Sequence, residues 1–199
     1  MAKVSKKIFI LDVATKHFSN YGYELTSLEN IAKECEVTKP AIYYHFKDKA
    51  SLYEAVLIKE FQLLSQQIKE ALKPDDALER LKSYISIFGK FLIENPNISA
   101  IFARELADGG KNISTKALQT LSTTIKTLDT ILKDGCKSSE LVCENPFMIQ
   151  LMIISTLTNY TTTKNLRSRV AQIIGTKPQE DEFKDIVERL SLKIVKGLQ

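Results

Sequence analysis

The chain has 199 residues, 28 Lys and Arg against 24 Asp and Glu, a formal net charge of +4, and a 44% hydrophobic share. With a mean hydropathy of −0.12, these values exclude a disordered segment, and no stretch reaches the ~18 consecutive apolar residues that begin to suggest a bilayer span. The basic excess is too small to imply nucleic-acid binding by itself, since residues 1–50 hold eight Lys against six acidic residues; what counts is where those charges sit.

Lys3, Lys6 and Lys7 precede an amphipathic pattern rather than an apolar core with a cleavage site, so no secretory leader is read there and a cytoplasmic location is expected. Ile10, Leu11, Ala14 and Phe18 mark the inner face of a first helix, stopped at Gly22, where positive φ costs little. Thr26 and Glu29 have the spacing of a capping box, and Leu28, Ile31 and Ala32 give the short second helix its buried stripe. After a turn at Cys35, Glu36 and Val37, Thr38 can cap a third helix, in which Pro40 is tolerated because first-turn amides lack intrahelical partners. Ile42 and Phe46, four residues apart, face inward. Thr38, Lys39, Pro40, Ala41, Tyr44 and His45 then point outward, small or polar enough to approach base edges and phosphates in a major groove.

A fourth helix runs from Asp48 to about Leu72, with Lys49 in its first turn, where free N–H groups and the dipole favour an anion. After Pro74, Asp75 and Asp76 suit the start of a fifth helix that ends at Asn95-Pro96 and is apolar on several faces, through Tyr84, Phe88 and Phe91 among others. A sixth carries Phe102, Arg104 and Glu105 and closes at Gly109-Gly110. Leu118, Leu121, Ile125, Leu128 and Leu132 mark a seventh on a Ser/Thr-rich, solvent-facing background. From Pro146 the segment FMIQLMIISTLTNYTTTKNLRSRV reads as one eighth helix, and a last helix follows Pro178. There Phe183, Ile186, Val187, Leu190, Ile194 and Leu198 form a stripe that Leu192 and Val195 widen beyond one intramolecular contact, which implies a partner helix and a four-helix interface between two copies. The reading is therefore all-α, about nine helices.

Chemistry beyond binding finds little support. A Gly-rich phosphate loop, a His-Glu-x-x-His pair and a nucleophile elbow are all missing from the sequence, so an enzyme is not expected, nor is any cofactor. Cys35, Cys136 and Cys143 are too few and too irregularly spaced for a metal site; reduced thiols are the simple account, with a Cys136–Cys143 pairing left open.

The pattern Phe18-x3-Gly22-Tyr23-x2-Thr26-Ser27-x3-Ile31-Ala32, followed by Val37-Thr38-x3-Ile42-Tyr43-x2-Phe46-x2-Lys49-x2-Leu52, resembles the tetracycline-repressor (TetR) family over roughly the first fifty-five residues. The resemblance implies an N-terminal three-helix head with a helix-turn-helix, a C-terminal helical bundle for ligand binding and dimerisation, and repression relieved by a small molecule. It puts the DNA-binding domain at 1–50 and the effector-binding and dimerisation domain at 51–199. It also implies that Thr38, Lys39, Ala41 and Tyr44 meet bases, that Tyr43, His45 and Lys49 hold the backbone, and that Thr26 and Ser27 meet phosphate. Glu36 stands where the family usually has a turn glycine, and His17 where it prefers an aliphatic residue; a half-buried, hydrogen-bonded histidine is expected there. Candidate effector contacts are Tyr84, Phe88, Phe91, Phe102, Asn159, Tyr160 and Thr163. The expected partners are double-stranded DNA with a palindromic operator, a second copy of the chain and a small-molecule effector, with no membrane. Control by a protein partner or by thiol oxidation is the alternative to a small molecule.

Overall fold

The computed structural model describes residues 5–73, 76–176 and 182–199, apart from the Phe183 side chain. Lys3, the boundary residues Pro74, Asp75 and Pro178, and the Phe183 side chain therefore lie outside what is described. The described residues form ten helices and no strand: α1 Lys6–Leu25, α2 Leu28–Glu34, α3 Lys39–His45, α4 Lys49–Ala71, α5 Ala77–Glu94, α6 Pro96–Ala107, α7 Thr115–Lys137, α8 Pro146–Thr162, α9 Lys164–Ile173 and α10 Phe183–Leu198. None of them is long and apolar enough to cross a membrane.

The tenth helix corrects the expected nine. The segment read as one eighth helix breaks at Thr163 (φ −97°, ψ 14°) into α8 and α9. Its cause is local: the Thr161 and Thr162 hydroxyls both donate back to the Thr158 carbonyl, and Thr163 donates to the Asn159 carbonyl. Such back-bonding competes with the helical ladder and bends it.

Helices α1 to α3 make the head. Gly22 interrupts α1 at φ 75°, as the sequence suggests, and turns its last residues toward α6. Helix α4 then leaves the head through a full capping box: the Asp48 carboxylate accepts from the Ser51 amide at 2.7 Å, and the Ser51 hydroxyl accepts from the Asp48 amide at 3.0 Å. Its inner face, Leu52, Val56, Leu57, Phe61, Leu64 and Ile68, is buried from end to end, against α1 near its start and against α7 and α5 further on. Head and body thus share one continuous apolar core.

Helix α5 is the hub of the body, in contact with α4, α6, α7, α8 and α10. Gly89 makes one of these approaches possible, because a Cβ there would fall 2.4 Å from a Val187 methyl of α10. Val187, Leu190, Ile194, Val195 and Leu198 are accordingly buried within the chain. Much of the apolar stripe of α10 is thus absorbed by intrachain packing; among its described side chains Ile186 is half-buried and Leu192 49% exposed. On α7 the solvent-facing expectation also needs correction, since Thr124 is fully buried while Leu118 is exposed. Cys136 and Cys143 form a disulfide that closes the loop after α7. This loop pins two helix ends, with Glu140 accepting from the first amide of α5 at 2.8 Å and the Val142 amide donating to the Leu198 carbonyl at 2.6 Å.

Glu60 of α4 is a buried carboxylate, with the Lys59 ammonium 3.4 Å away. Burial pushes its carboxyl above the ordinary value, against the opposing pull of Lys59. A folded-state value raised in this way contributes stability that is present below the unfolded value and lost as pH rises through the folded one. Glu60→Gln is therefore expected to raise the melting temperature at pH 7, with the gain shrinking as pH falls through the raised folded value and gone below about 4.3, the ordinary Glu value. Thermal unfolding of both proteins at pH 7 and pH 4 checks this; an equal shift at both contradicts it.

Candidate nucleic-acid interface and effector domain

The start of α2 differs from the expected capping box. Ser27 is the N-cap, its side chain accepting from the Asn30 amide at 3.2 Å. Thr26 is buried, and its hydroxyl lies 2.6 Å from the Gly22 carbonyl and 3.2 Å from the His17 carbonyl. It therefore locks the kinked end of α1 and presents no hydroxyl to phosphate; of the two, Ser27 is the one near the surface.

The turn that follows is a Schellman motif. The Val37 amide donates to the Ala32 carbonyl and the Glu36 amide to the Lys33 carbonyl, with Glu36 at φ 53°. A side chain in this conformation costs about 1 kcal/mol, offset by the bonds it completes. His17 is more buried than expected, at 8% exposed, and its Nε2 lies 2.7 Å from the Glu34 carboxylate, which ties α1 to α2.

Helix α3 is anchored by buried Ile42 and Phe46. Thr38 has N-cap backbone geometry without a side-chain cap bond, and Pro40 lies in the first turn. This orientation leaves Thr38 and Pro40 exposed, Ala41 and His45 half-buried, Tyr43 46% exposed and Tyr44 85% exposed. Tyr44 meets only the edge of the His45 ring, 5.0 Å between centroids. Lying opposite the buried Ile42, this phenol is open to an external contact.

The two lysines are held. Lys39 pairs with the Glu29 carboxylate of α2 and lies 5.9 Å over the Tyr43 ring. Lys49 donates to the Tyr23 and Glu24 carbonyls at 2.8 and 3.0 Å and sits 4.5 Å over the Tyr23 ring. It caps the orphan carbonyls at the end of α1 instead of standing free at the mouth of α4. Both contacts join residues far apart in sequence, which local patterns do not register.

The seven effector candidates do not come together. Tyr84, Phe88 and Phe91 of α5 and Phe102 of α6 are packed core. Asn159, Tyr160 and Thr163 lie at the α8–α9 corner, where Arg167 donates to the Tyr160 carbonyl at 2.6 Å and to the Thr163 hydroxyl at 2.8 Å. One buried polar feature of the body is Tyr84, whose hydroxyl donates to Gln150 Oε1 at 2.8 Å beside the Thr124 carbonyl at 3.4 Å. Burial pushes this phenol well above its ordinary value, so it remains a proton donor. On the outside of α8, Phe147, Met148, Leu151 and Met152 are 69, 54, 53 and 41% exposed. Met148, Leu151, Met152 and the half-buried Ser155 recur at helical spacing, and no described helix covers them.

Known proteins match both the head and the body of this chain. Residues 10–56 match the bacterial regulatory proteins of the tetR family, and residues 57–199 match the C-terminal region of YcdC-like proteins. The HTH-type transcriptional regulator RutR of Escherichia coli K12 is 26% identical over 196 residues, spanning 98% of this chain and 91% of RutR. AcrR of Shigella flexneri, also an HTH-type transcriptional regulator, is 53% identical over 47 residues, covering 24% of this chain and 22% of AcrR. Among solved structures, a tetR-family regulatory protein from Rhodococcus RHA1 superposes with a TM-score of 0.78 at 19% identity, over 98% of this chain and 97% of that one. The regulator FadR from Bacillus subtilis, solved in complex with stearoyl-CoA, gives 0.73 at 21% identity, over 96% and 99%. With both parts of the chain matched in order, and a helix-turn-helix head on an all-helical body, this protein belongs to the TetR family of DNA-binding transcriptional regulators.

Proposed function

We propose that the chain is a ligand-released repressor that binds a palindromic operator as a homodimer, with residues 1–50 as the DNA-binding domain and 51–199 as the effector and dimerisation domain. The observation that carries the DNA contact is Tyr44, 85% exposed on a helix whose opposite face is fixed by Ile42 and Phe46. In this reading Thr38, Lys39, Pro40, Ala41 and Tyr44 approach base edges, while Ser27, Tyr43 and His45 meet the backbone. Lys39 reaches DNA by exchanging Glu29 for the duplex. Lys49 contributes by holding α1 and α4 in register at the groove.

The second copy is supported by the uncovered α8 row, which a two-fold partner would bury while setting two heads one helical turn of DNA apart, about 34–36 Å. In this reading the effector enters between α5, α7 and α8 and parts the packed Tyr84–Gln150 pair, taking over its donor and acceptor. The B. subtilis FadR structure carries stearoyl-CoA, which makes a ligand in the body a sound expectation for this chain, though not its identity.

Selection of bound duplexes from random sequence tests the reading, and an inverted repeat is the expected product. Affinity for that duplex should fall with log salt at a slope near −0.9 per phosphate neutralised; a flat response overturns the proposal. Tyr44→Ala is expected to weaken the selected duplex by about 5- to 150-fold, the range of ~1–3 kcal/mol for one specific contact, and to relax preference at one base position. Its melting temperature should stay unchanged.

A further inference from the structure

A cavity of about 350 Å³ lies between head and body, where the kinked end of α1 faces α6 across the start of α4. Glu105 of α6 lines it and is 4% exposed. One carboxylate oxygen, Oε1, accepts from the Tyr53 hydroxyl at 2.7 Å and from Asn112 Nδ2 at 3.2 Å. The other, Oε2, is buried and has no hydrogen-bond partner among the described residues. The neighbouring Arg104 does not supply one, because its guanidinium is turned to the Ser19 and Asn20 carbonyls, at 3.3 and 3.0 Å. Lys49 does not either, being engaged by the Tyr23 and Glu24 carbonyls.

A desolvated carboxylate oxygen left without a donor is costly, and native structures seldom retain one without a use. The walls indicate what would satisfy it. Tyr21, Tyr23 and Tyr53 are among its lining residues, with Tyr23 and Tyr53 tilted at 5.1 Å between centroids. Glu24 and Asp108 stand exposed at the rim, so the lining carries three carboxylates against the single guanidinium of Arg104. An anion is repelled by this set, and a neutral apolar molecule would leave Oε2 unpaired. A divalent metal needs several oxygen ligands, and no group of three or more His, Cys, Asp or Glu is placed to hold one among the described residues. A flat or compact cation with N–H donors meets each requirement: it donates to Oε2, balances the charge and lies against the tyrosine faces. The volume is at the lower end of the ~300–1,000 Å³ typical of small-molecule sites.

We propose that this cavity binds a small organic cation bearing N–H donors, an ammonium or amidinium group, seated on Glu105. The site is separate from the Tyr84–Gln150 core, and it stands whether or not the protein proves to be a ligand-released repressor. Calorimetric titration of the full chain with benzamidine, and with the neutral isostere benzamide, tests it without DNA. One benzamidine per chain is expected, with benzamide weaker by about tenfold or more. Glu105→Gln should weaken benzamidine by about tenfold or more and leave benzamide unchanged. If that variant does not fold, Tyr21→Ala, at an exposed wall residue, should still weaken benzamidine severalfold. Absence of benzamidine binding, equal affinity for the two probes, or binding indifferent to the variants that fold overturns the proposal.

Discussion

Replacing Leu151 and Met152 by Glu is expected to turn a dimer into a monomer and to lower operator affinity by about 10²–10⁴, the usual gain from joining two binding units. Both side chains lie on the uncovered face of α8, 53% and 41% exposed. They therefore contribute little to the packing of their own chain, and the helical circular dichroism should be retained. In a two-fold pair each charge would meet its symmetry mate in a desolvated interface, where an unpaired carboxylate costs several kcal/mol. Sedimentation at several concentrations reads the association directly. A wild-type chain that sediments as a monomer, or a variant that remains dimeric, removes α8 as the contact face.

Phe61→Ala is the substitution expected to cost most within one chain, about 3–5 kcal/mol. The ring is fully buried at the middle of α4 and stacks on Phe102 of α6 at 5.5 Å with 7° between planes. Its removal opens a cavity at the junction that joins the long helix to the body. At ~2–4 °C per kcal/mol for a chain of this size, the melting temperature should fall by roughly 6–20 °C. Leu63→Ala, two residues away and 39% exposed, serves as the control, with a shift of no more than a few degrees. Comparable losses from both would mean that the α4–α6 contact does not carry the junction.

The head was largely legible because its signals are local. Gly22 frees the backbone for positive φ and Pro40 fixes its own φ where each stands, and Ile42 with Phe46 fixes which side of α3 looks outward. The misplaced cap shows the limit of such signals. Thr26 and Ser27 are equally able to cap α2, and the choice falls on Ser27 because the kink at Gly22 brings distant carbonyls within reach of the Thr26 hydroxyl. Lys39 and Lys49 were read as free cations for the same reason: their acceptors are 10 residues or more away in sequence.

The body was legible as helices and poorly legible as surfaces. Aromatic residues at helical spacing on α5 carry the same pattern whether they line a pocket or fill a core, and here they fill a core. The wide stripe of α10 suggests an interface; Gly89 lets much of it sink against α5, and a further exposed apolar row lies on α8. Asn159 and Tyr160 stand at the C-terminal end of α8, outside the buried core, and Thr163 at the break that follows, so helical spacing alone does not tell them from core-facing positions. Glu105 is legible in sequence only as an acidic residue of the sixth helix; that one of its oxygens is buried without a donor depends on how α1, α4 and α6 meet, which no window of sequence contains.

Helix α4 has 23 residues, about 34 Å of rod at 1.5 Å per residue. Because its first turn is closed by Asp48 and Ser51 and its inner face is buried along the whole length, it transmits rotation without absorbing it. A tilt of only about 5° at the body end displaces the head by roughly 3 Å, a whole hydrogen-bond length. In the proposed two-fold pair the displacements would add, so an angular change too small to disturb core packing would put both α3 helices out of phase with the duplex.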